Sequence, residues 1–288
     1  MSLSSFKIAH KLITGAGAIE QLAAELTRLD IDNPLIVTDA ALVKSGTVEL
    51  ALAQLGDRTY EIFDRVLPDP EIAIVEDCMR VYREGGHDGL IGLGGGSAID
   101  IAKSVAAYAG YHGALEDLFG VDQVPRKGPP LIAIPTTAGT GSEVSRSGVA
   151  FLQDTGRKTV IFAPELLPRA AIVDPELTYG LPPRATAATG LDAFTHCLEA
   201  YLSSGFHPLA DAVAIDGIRR VSRSLPVVLQ EPTHTQARLD MMITAMEGAM
   251  AFQKGLGNAH ALAHALTPIA GLHHGLANAV VPPARLNA

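Results

Sequence analysis

The chain has 288 residues, 48% of them hydrophobic, with 28 glycines and a formal net charge of −9 at neutral pH. That length allows two domains and a sizeable core, and the acidic balance without a long basic run argues against a nucleic-acid partner, which needs clustered Lys and Arg. Two cysteines, Cys78 and Cys197, make neither a disulfide framework nor a zinc knuckle and are expected as small buried hydrophobes. Residues Met1 to His10 lack a basic-then-apolar secretory pattern, and no stretch reaches the ~18 uninterrupted apolar residues of a membrane span. A reducing cytoplasm is the expected compartment.

In chain order, Gly15-Ala16-Gly17 reads as a structural turn before a helix. Leu35-Ile36-Val37-Thr38-Asp39 reads as a strand ending in an acid, and a helical stretch follows from Ser45 to Leu55. Thr59 to Phe63 is a second strand, Pro68-Asp69-Pro70 a turn, and Glu71 to Glu84 a helix. Gly89 to Leu93 is a third strand that runs into glycines, and Ser97 to Ala107 is a helix. Leu131 to Pro135, Lys158 to Phe162 and Ala170 to Val173 are further strands. Alternation of this type implies a parallel sheet flanked by helices. After Leu181-Pro182-Pro183 the strand signal ends, and Pro183 or Arg184 is expected to open a helix. The expected organisation is a Rossmann-like α/β domain over residues 1–181 and an all-helical domain over residues 182–288.

Four stretches and one aspartate carry chemistry. Gly92-Leu93-Gly94-Gly95-Gly96-Ser97 follows a strand and opens a helix, so its backbone N–H groups could cradle a pyrophosphate. It departs from G-x-G-x-x-G in having Ser97 at the last glycine's place, and a plain tight turn is the alternative. Asp39 could accept hydrogen bonds from an adenosine ribose and disfavour a 2′-phosphate, or simply cap a helix. Thr136-Thr137-Ala138-Gly139-Thr140-Gly141-Ser142-Glu143 is small and hydroxyl-rich, as a ligand-lining loop would be. Further on, Asp192 and His196 are four apart, and so are His260 and His264. That spacing puts each pair on one helix face, and a carboxylate with imidazoles suits iron or zinc.

These stretches together make the chain resemble the iron-containing (group III) alcohol dehydrogenase family. The matching motifs are Gly94 to Lys103, Ile134 to Glu143, Gly190 to His196, and the histidine segment His260 to Ala279. The resemblance implies a dehydroquinate synthase-like architecture, in which an NAD-binding α/β domain precedes a helical metal-binding domain. It implies metal ligands Asp192, His196, His260 and His274, with His264 near the nicotinamide and substrate as a proton-handling residue. For NAD it implies Gly94, Gly95, Gly96 and Ser97 at the pyrophosphate, Thr136, Thr137 and Thr140 along the adenine and phosphates, and Asp39 and Lys158 at the riboses. The divalent cation is expected to be Fe2+, with Zn2+ as the alternative, and the assembly a homodimer or larger.

Three features depart from the family pattern. Asp69 stands where an asparagine is expected, and His273 precedes His274 where a proline is usual. The chain stops at Arg285-Leu286-Asn287-Ala288, so the helical domain is expected to be incomplete. Glu143 and Glu199 are read as structural acids, and Phe252 and Leu256 as apolar lining of a substrate pocket. The expected activity is hydride transfer between NAD(H) and a small alcohol, aldehyde or ketone. A polyol dehydrogenase, a hydroxyacid–oxoacid transhydrogenase or a maleylacetate-type reductase stay open within the same superfamily. A truncated protein that binds metal or nucleotide without catalysis is a reading from another class.

Overall fold

The structure, a computed structural model, describes residues 6, 8, 10–68, 70–152, 157–270, 272 and 274–281. The chain divides into two compact units. One holds residues 9–136 and 142–177, and the other gathers Thr137–Gly141 with the chain from Thr178 onward.

The first unit is α/β. Its elements are β1 (Leu12–Thr14), α1 (Leu22–Arg28), β2 (Pro34–Val37), α2 (Ala40–Ser45), α3 (Thr47–Leu52), β3 (Glu61–Phe63), α4 (Ile72–Glu84), β4 (Gly89–Gly94), α5 (Gly96–Ala109), β5 (Gly120–Val121), β6 (Leu131–Pro135), β7 (Ser147–Leu152), β8 (Arg157–Phe162) and β9 (Ala170–Val173). Six strands form one sheet in the order β1-β9-β6-β4-β2-β3, with every pairing parallel. Parallel sheets bury both faces, so their strands are apolar throughout. Leu35 and Val37 of β2 join one core with Val75 and Met79 of α4 and Ile101 and Val105 of α5. Ile36, between them, joins the opposite core with Leu22 and Leu26 of α1 and Val48 of α3.

The strand order reverses between β2 and β4. From β2 the chain moves outward to β3, then crosses back to β4 and continues in the other direction to β6 and β9. Ligands of open α/β sheets bind outside the strand C-termini at such a switch point. Here that point is made by Asp39, which follows β2, and by the glycines that end β4.

Two readings from sequence change in detail. The helix expected over Ser45–Leu55 is shorter, α3 at Thr47–Leu52, and a separate short helix, α2, precedes it, because Gly46 at φ +79° caps α2 and breaks the run before α3. A second, three-stranded sheet pairs β7 antiparallel and β5 parallel to β8. Sequence reasoning found only β8 of these. Cys78 and Cys197 are both free and buried.

A buried lysine ties this unit's loops to α5. Lys103 is fully buried, and its Nζ donates to Ser142 Oγ (2.8 Å), Ser145 Oγ (3.1 Å) and the Ser147 carbonyl (2.9 Å). Asp100 Oδ1 lies 3.7 Å away and accepts from the Ser142 hydroxyl, while Asp100 Oδ2 accepts from the Val149 amide. Burial pushes the Lys103 ammonium down to about 8 against the pull of Asp100 and Glu143. Burial pushes the Glu143 carboxyl up to about 7, opposed by its own backbone amide and by Lys103.

The second unit is helical: α6 (Pro183–Leu202), α7 (Pro208–Gln230), α8 (Thr235–Ala251), α9 (Asn258–Ala270) and α10 (His274–Val280). Pro183 occupies the first turn of α6, where its missing N–H costs nothing. The helices α6, α7 and α8 pack against one another, and α10 lies on α6. That last contact depends on Gly275, because a Cβ there would sit 2.3 Å from the Ala188 carbonyl oxygen.

Three outcomes follow from this packing. Lys103→Ala leaves the Asp100 carboxylate buried without its cation and should lower unfolding free energy by about 3–5 kcal/mol in denaturant titration. The folded chain holds the Glu143 proton more tightly than the unfolded chain does, since burial raises this carboxyl from 4.5. Stability from that proton is therefore complete below about pH 4 and lost as pH rises towards about 7, below the range where Lys103 titrates. Melting of a Glu143→Gln variant should show a flatter decline across that window; an unchanged slope would refute the assignment. Gly275→Ala should cost about 1–3 kcal/mol by overpacking the α6–α10 contact, read by thermal melting.

Candidate metal centre

One face of α6 presents Asp192, His196 and Glu199, one and two turns apart, and all three side chains are buried. His260 lies in the first turn of α9 and His274 opens α10. These helices bring one ligand atom each from Asp192, His260 and His274 to within 4.8 Å of one another. Asp192 Oδ1 is 3.7 Å from His260 Nε2 and 4.0 Å from His274 Nε2. His260 Nε2 is buried and makes no hydrogen bond. A buried imidazole nitrogen without a partner costs free energy, and coordination to a cation would remove that cost. Two imidazoles and a carboxylate form a donor set that suits iron(II) or zinc(II).

His196 sits beside this trio rather than within it. Its ring stacks on that of His260 with centroids 4.3 Å apart and planes at 26°, and it borders the Phe252 ring at 5.4 Å. Its Nδ1 is also buried without a hydrogen bond. Burial pushes the His196 imidazole down to about 3, with His260 and His274 adding to the effect and Asp192 opposing it. Burial alone would raise the Asp192 carboxyl. The three imidazoles and the Asn278 amide outweigh it and hold the group below the ordinary carboxylate range. Thus the local field keeps the imidazole of His196 neutral and the carboxylate charged, the forms in which both can bind a cation. His264 is exposed, with its ring 4.9 Å from that of His274. Leu256 is also exposed.

Two residues around the cluster were not assigned to it from sequence. Asn278 donates from Nδ2 to Asp192 Oδ1 at 2.7 Å, and the same nitrogen lies 3.3 Å from His274 Nε2. Its sequence signal was its place four residues after His274, on the same helix face. Glu199 was read as structural; its Oε2 lies 2.7 Å from His260 Nδ1. The signal there was its position three residues after His196, on the face that already carries Asp192.

In the α/β unit, Gly94 ends β4 at φ +154° and Gly96 opens α5. A Cβ on Gly94 would sit 2.8 Å from the Ala98 Cβ, so only glycine lets the chain turn this tightly into the helix. Gly95, Gly96 and Ser97 are half-buried, and their position at the start of α5 leaves the first-turn N–H groups without intrahelical acceptors. Asp39 caps α2, with its Oδ1 accepting from the amides of Ala41 (2.9 Å) and Leu42 (3.0 Å). The alternative reading of Asp39 as a helix cap is therefore realised, yet its Oδ2 lies about as far as van der Waals contact from the space over Gly94. The buried Thr136 donates its amide to the Gly94 carbonyl at 2.9 Å.

Thr137 and Thr140 are half-buried in the segment that belongs to the helical unit. That segment is held by Gly139 against Thr189 of α6 and by Gly141, at φ +61°, against the Ala245 carbonyl of α8. Lys158 lies in β8, with its side chain outside the described residues. Asp69 and His273 also lie outside them.

The family model for iron-containing alcohol dehydrogenase matches residues 9–175, and the model for the C-terminal part of the Fe-containing alcohol dehydrogenase family matches residues 186–288. The chain is 44% identical over 279 residues to 4-hydroxybutyrate dehydrogenase of Cupriavidus necator, covering 94% of this chain and 73% of that protein. A crystal structure of 1,3-propanediol oxidoreductase superposes with a TM-score of 0.94 at 36% identity, covering 97% of this chain and 74% of the other. Sulfoacetaldehyde reductase from Bifidobacterium kashiwanohense, solved in complex with NAD+, superposes with a TM-score of 0.91 at 30% identity, covering 96% and 74%. With residues 9–175 and 186–288 matched by the family's two models and a 44% identical dehydrogenase aligned over 94% of its length, the chain belongs to the iron-containing alcohol dehydrogenase family.

Proposed function

We propose that this protein transfers a hydride between NAD(H) and a small primary alcohol or its aldehyde, using a divalent cation held by Asp192, His260 and His274 with His196 as fourth ligand. The observation that carries the reading is the buried, unbonded His260 Nε2 facing Asp192 Oδ1 inside a group of three donors. A cation bound there, iron(II) by family and zinc(II) as the alternative, supplies Lewis-acid charge that polarises the substrate oxygen. NAD supplies the hydride acceptor.

The chain's own groups do the rest. Asp192 brings the negative charge that offsets the cation, and Asn278 orients it through the 2.7 Å hydrogen bond. His264, exposed beside His274, takes the hydroxyl proton at an imidazole nitrogen and passes it to water. Gly94, Gly95, Gly96 and Ser97 present backbone N–H groups to the pyrophosphate at the start of α5. Asp39 Oδ2 accepts from a ribose hydroxyl, and its charge disfavours a 2′-phosphate. Thr136, Thr137, Thr140 and Lys158 complete the cofactor contacts by family likeness.

Two of the relatives support a substrate with a terminal hydroxyl and a second polar end, since 4-hydroxybutyrate and 1,3-propanediol both have this form, whereas a 41% identical relative is named for long-chain alcohols. Two free, buried cysteines suit a reducing cytoplasm, and family likeness supports a homodimer or larger. Among the described residues no helix is long and apolar enough to cross a membrane.

Purified protein should contain about one iron or zinc per chain by elemental analysis and oxidise short diols and ω-hydroxyacids with NAD. Chelation, His260→Ala or His274→Ala should each lower kcat/KM at least ~100-fold, the rate equivalent of losing a few kcal/mol of charge stabilisation. Undiminished turnover in either variant would overturn the ligand assignment. Asp39→Asn keeps a good helix cap but removes the charge, and should narrow the preference for NAD over NADP by about tenfold, consistent with the ~1.5–3 kcal/mol of a charged hydrogen bond.

A further inference from the structure

We propose that Glu199 is a positioning residue for the metal centre: it holds His260 in the tautomer whose Nε2 is free to bind the cation. The proposal rests on the metal reading above and adds to it a residue that touches neither metal nor substrate.

Four donors converge on this one buried carboxylate. Glu199 Oε1 accepts from the Ala259 amide at 2.7 Å. Oε2 accepts from the amides of Gly257 (3.1 Å) and His260 (3.2 Å) and lies 2.7 Å from His260 Nδ1. The side chain is 2% exposed. An ionised carboxylate can only accept hydrogen bonds, so the proton of a neutral His260 must sit on Nδ1. The lone pair is then on Nε2, the nitrogen that faces Asp192 Oδ1 at 3.7 Å and has no hydrogen bond. The tautomer is thus set by a group on the far side of the ring from the metal.

The same carboxylate fixes where the ring stands. Its other three contacts are to amides around the first turn of α9, where a negative charge is favourable. The approach is close enough that a Cβ on Gly257 would sit 2.6 Å from Glu199 Oε1. Glu199 and Asp192 are both on α6, seven residues apart. One helix therefore supplies a ligand and, two turns on, the group that aims a second ligand from α9. Substitution by glutamine breaks this arrangement in a specific way. An amide nitrogen must replace one oxygen, so it confronts a backbone N–H in either orientation, and in the place of Oε2 it also donates to His260 Nδ1 and forces the proton onto Nε2.

The test compares the unsubstituted chain with Glu199→Gln, without reference to turnover. Zinc(II), and ferrous ion under anaerobic conditions, are titrated against a competing chelator, and histidine tautomers are read by long-range 1H–15N spectra of the metal-free protein labelled at histidine. Expected are an Nδ1-protonated His260 in the unsubstituted chain, growth of the Nε2-protonated form in Glu199→Gln, and a 10–100-fold loss of zinc affinity. In a His260→Ala background the same substitution should change zinc affinity less than about twofold, because the effect passes through that imidazole. An Nε2-protonated His260 in the unsubstituted chain overturns the proposal, and this result needs no variant to fold. So does a folded Glu199→Gln protein with unchanged zinc affinity and only a lowered melting temperature, which would mark a helix cap alone. If the unsubstituted chain takes neither metal, the metal reading fails, while the tautomer spectra still decide the role of Glu199.

Discussion

The carboxylate of Asp192 is almost wholly buried on α6, where three imidazoles and the Asn278 amide surround it. A charge removed from water must be compensated by groups that stay in place. Here they come from α6 itself, α9 and α10, so the charge constrains how three helices meet. Glycine makes the approach possible, since Gly275 lets α10 settle on the Ala188 carbonyl and Gly248 leaves room for the His196 Cβ. The packing of the helical unit and the chemistry of its centre are thus one problem with one solution.

The α/β unit meets its own buried charges differently. Lys103 and Asp100 neutralise each other, and three serines satisfy the remaining donors and acceptors. The network is closed and leaves the ammonium fully bonded. In the helical unit the corresponding satisfaction is left unfinished at His260 Nε2 and His196 Nδ1. Both units bury ionisable groups, and in the second the open imidazole nitrogens lie in a cluster of side chains around one buried carboxylate, Asp192.

The parallel sheet sets the topology around Asp39 and the glycines of β4. The strand order reverses between β2 and β4, the kind of switch point at which open α/β sheets take their ligands. Gly94 turns too sharply for any side chain, and Asp39 braces the neighbouring turn as a cap while keeping one oxygen near the glycines. A single aspartate can therefore be a cap and a ribose acceptor, because a carboxylate has two oxygens with several lone pairs. The two readings of Asp39 are not exclusive.

By itself the sequence determined which residue types recur at helical spacing, where strands alternate with helices, and where the strand signal stops. Those patterns are local, with periods of two and 3.6 residues, so β2, β4, β6 and β9 and the start of α6 at Pro183 were legible. The strands β1, β5 and β7 were not, because a strand's character depends on the partners it pairs with as well as on its own residues, and β1 and β5 are only three and two residues long. Spacing and family likeness named Asp192, His196, His260 and His274, but only the fold decided that three of these present atoms within 4.8 Å while His196 stacks alongside. Spacing puts Glu199 and Asn278 on the faces of His196 and His274, but the groups they touch follow from the directions in which α6, α9 and α10 cross. Distances between groups so far apart along the chain are set by packing, and packing is a property of the whole unit that no local run of residues contains.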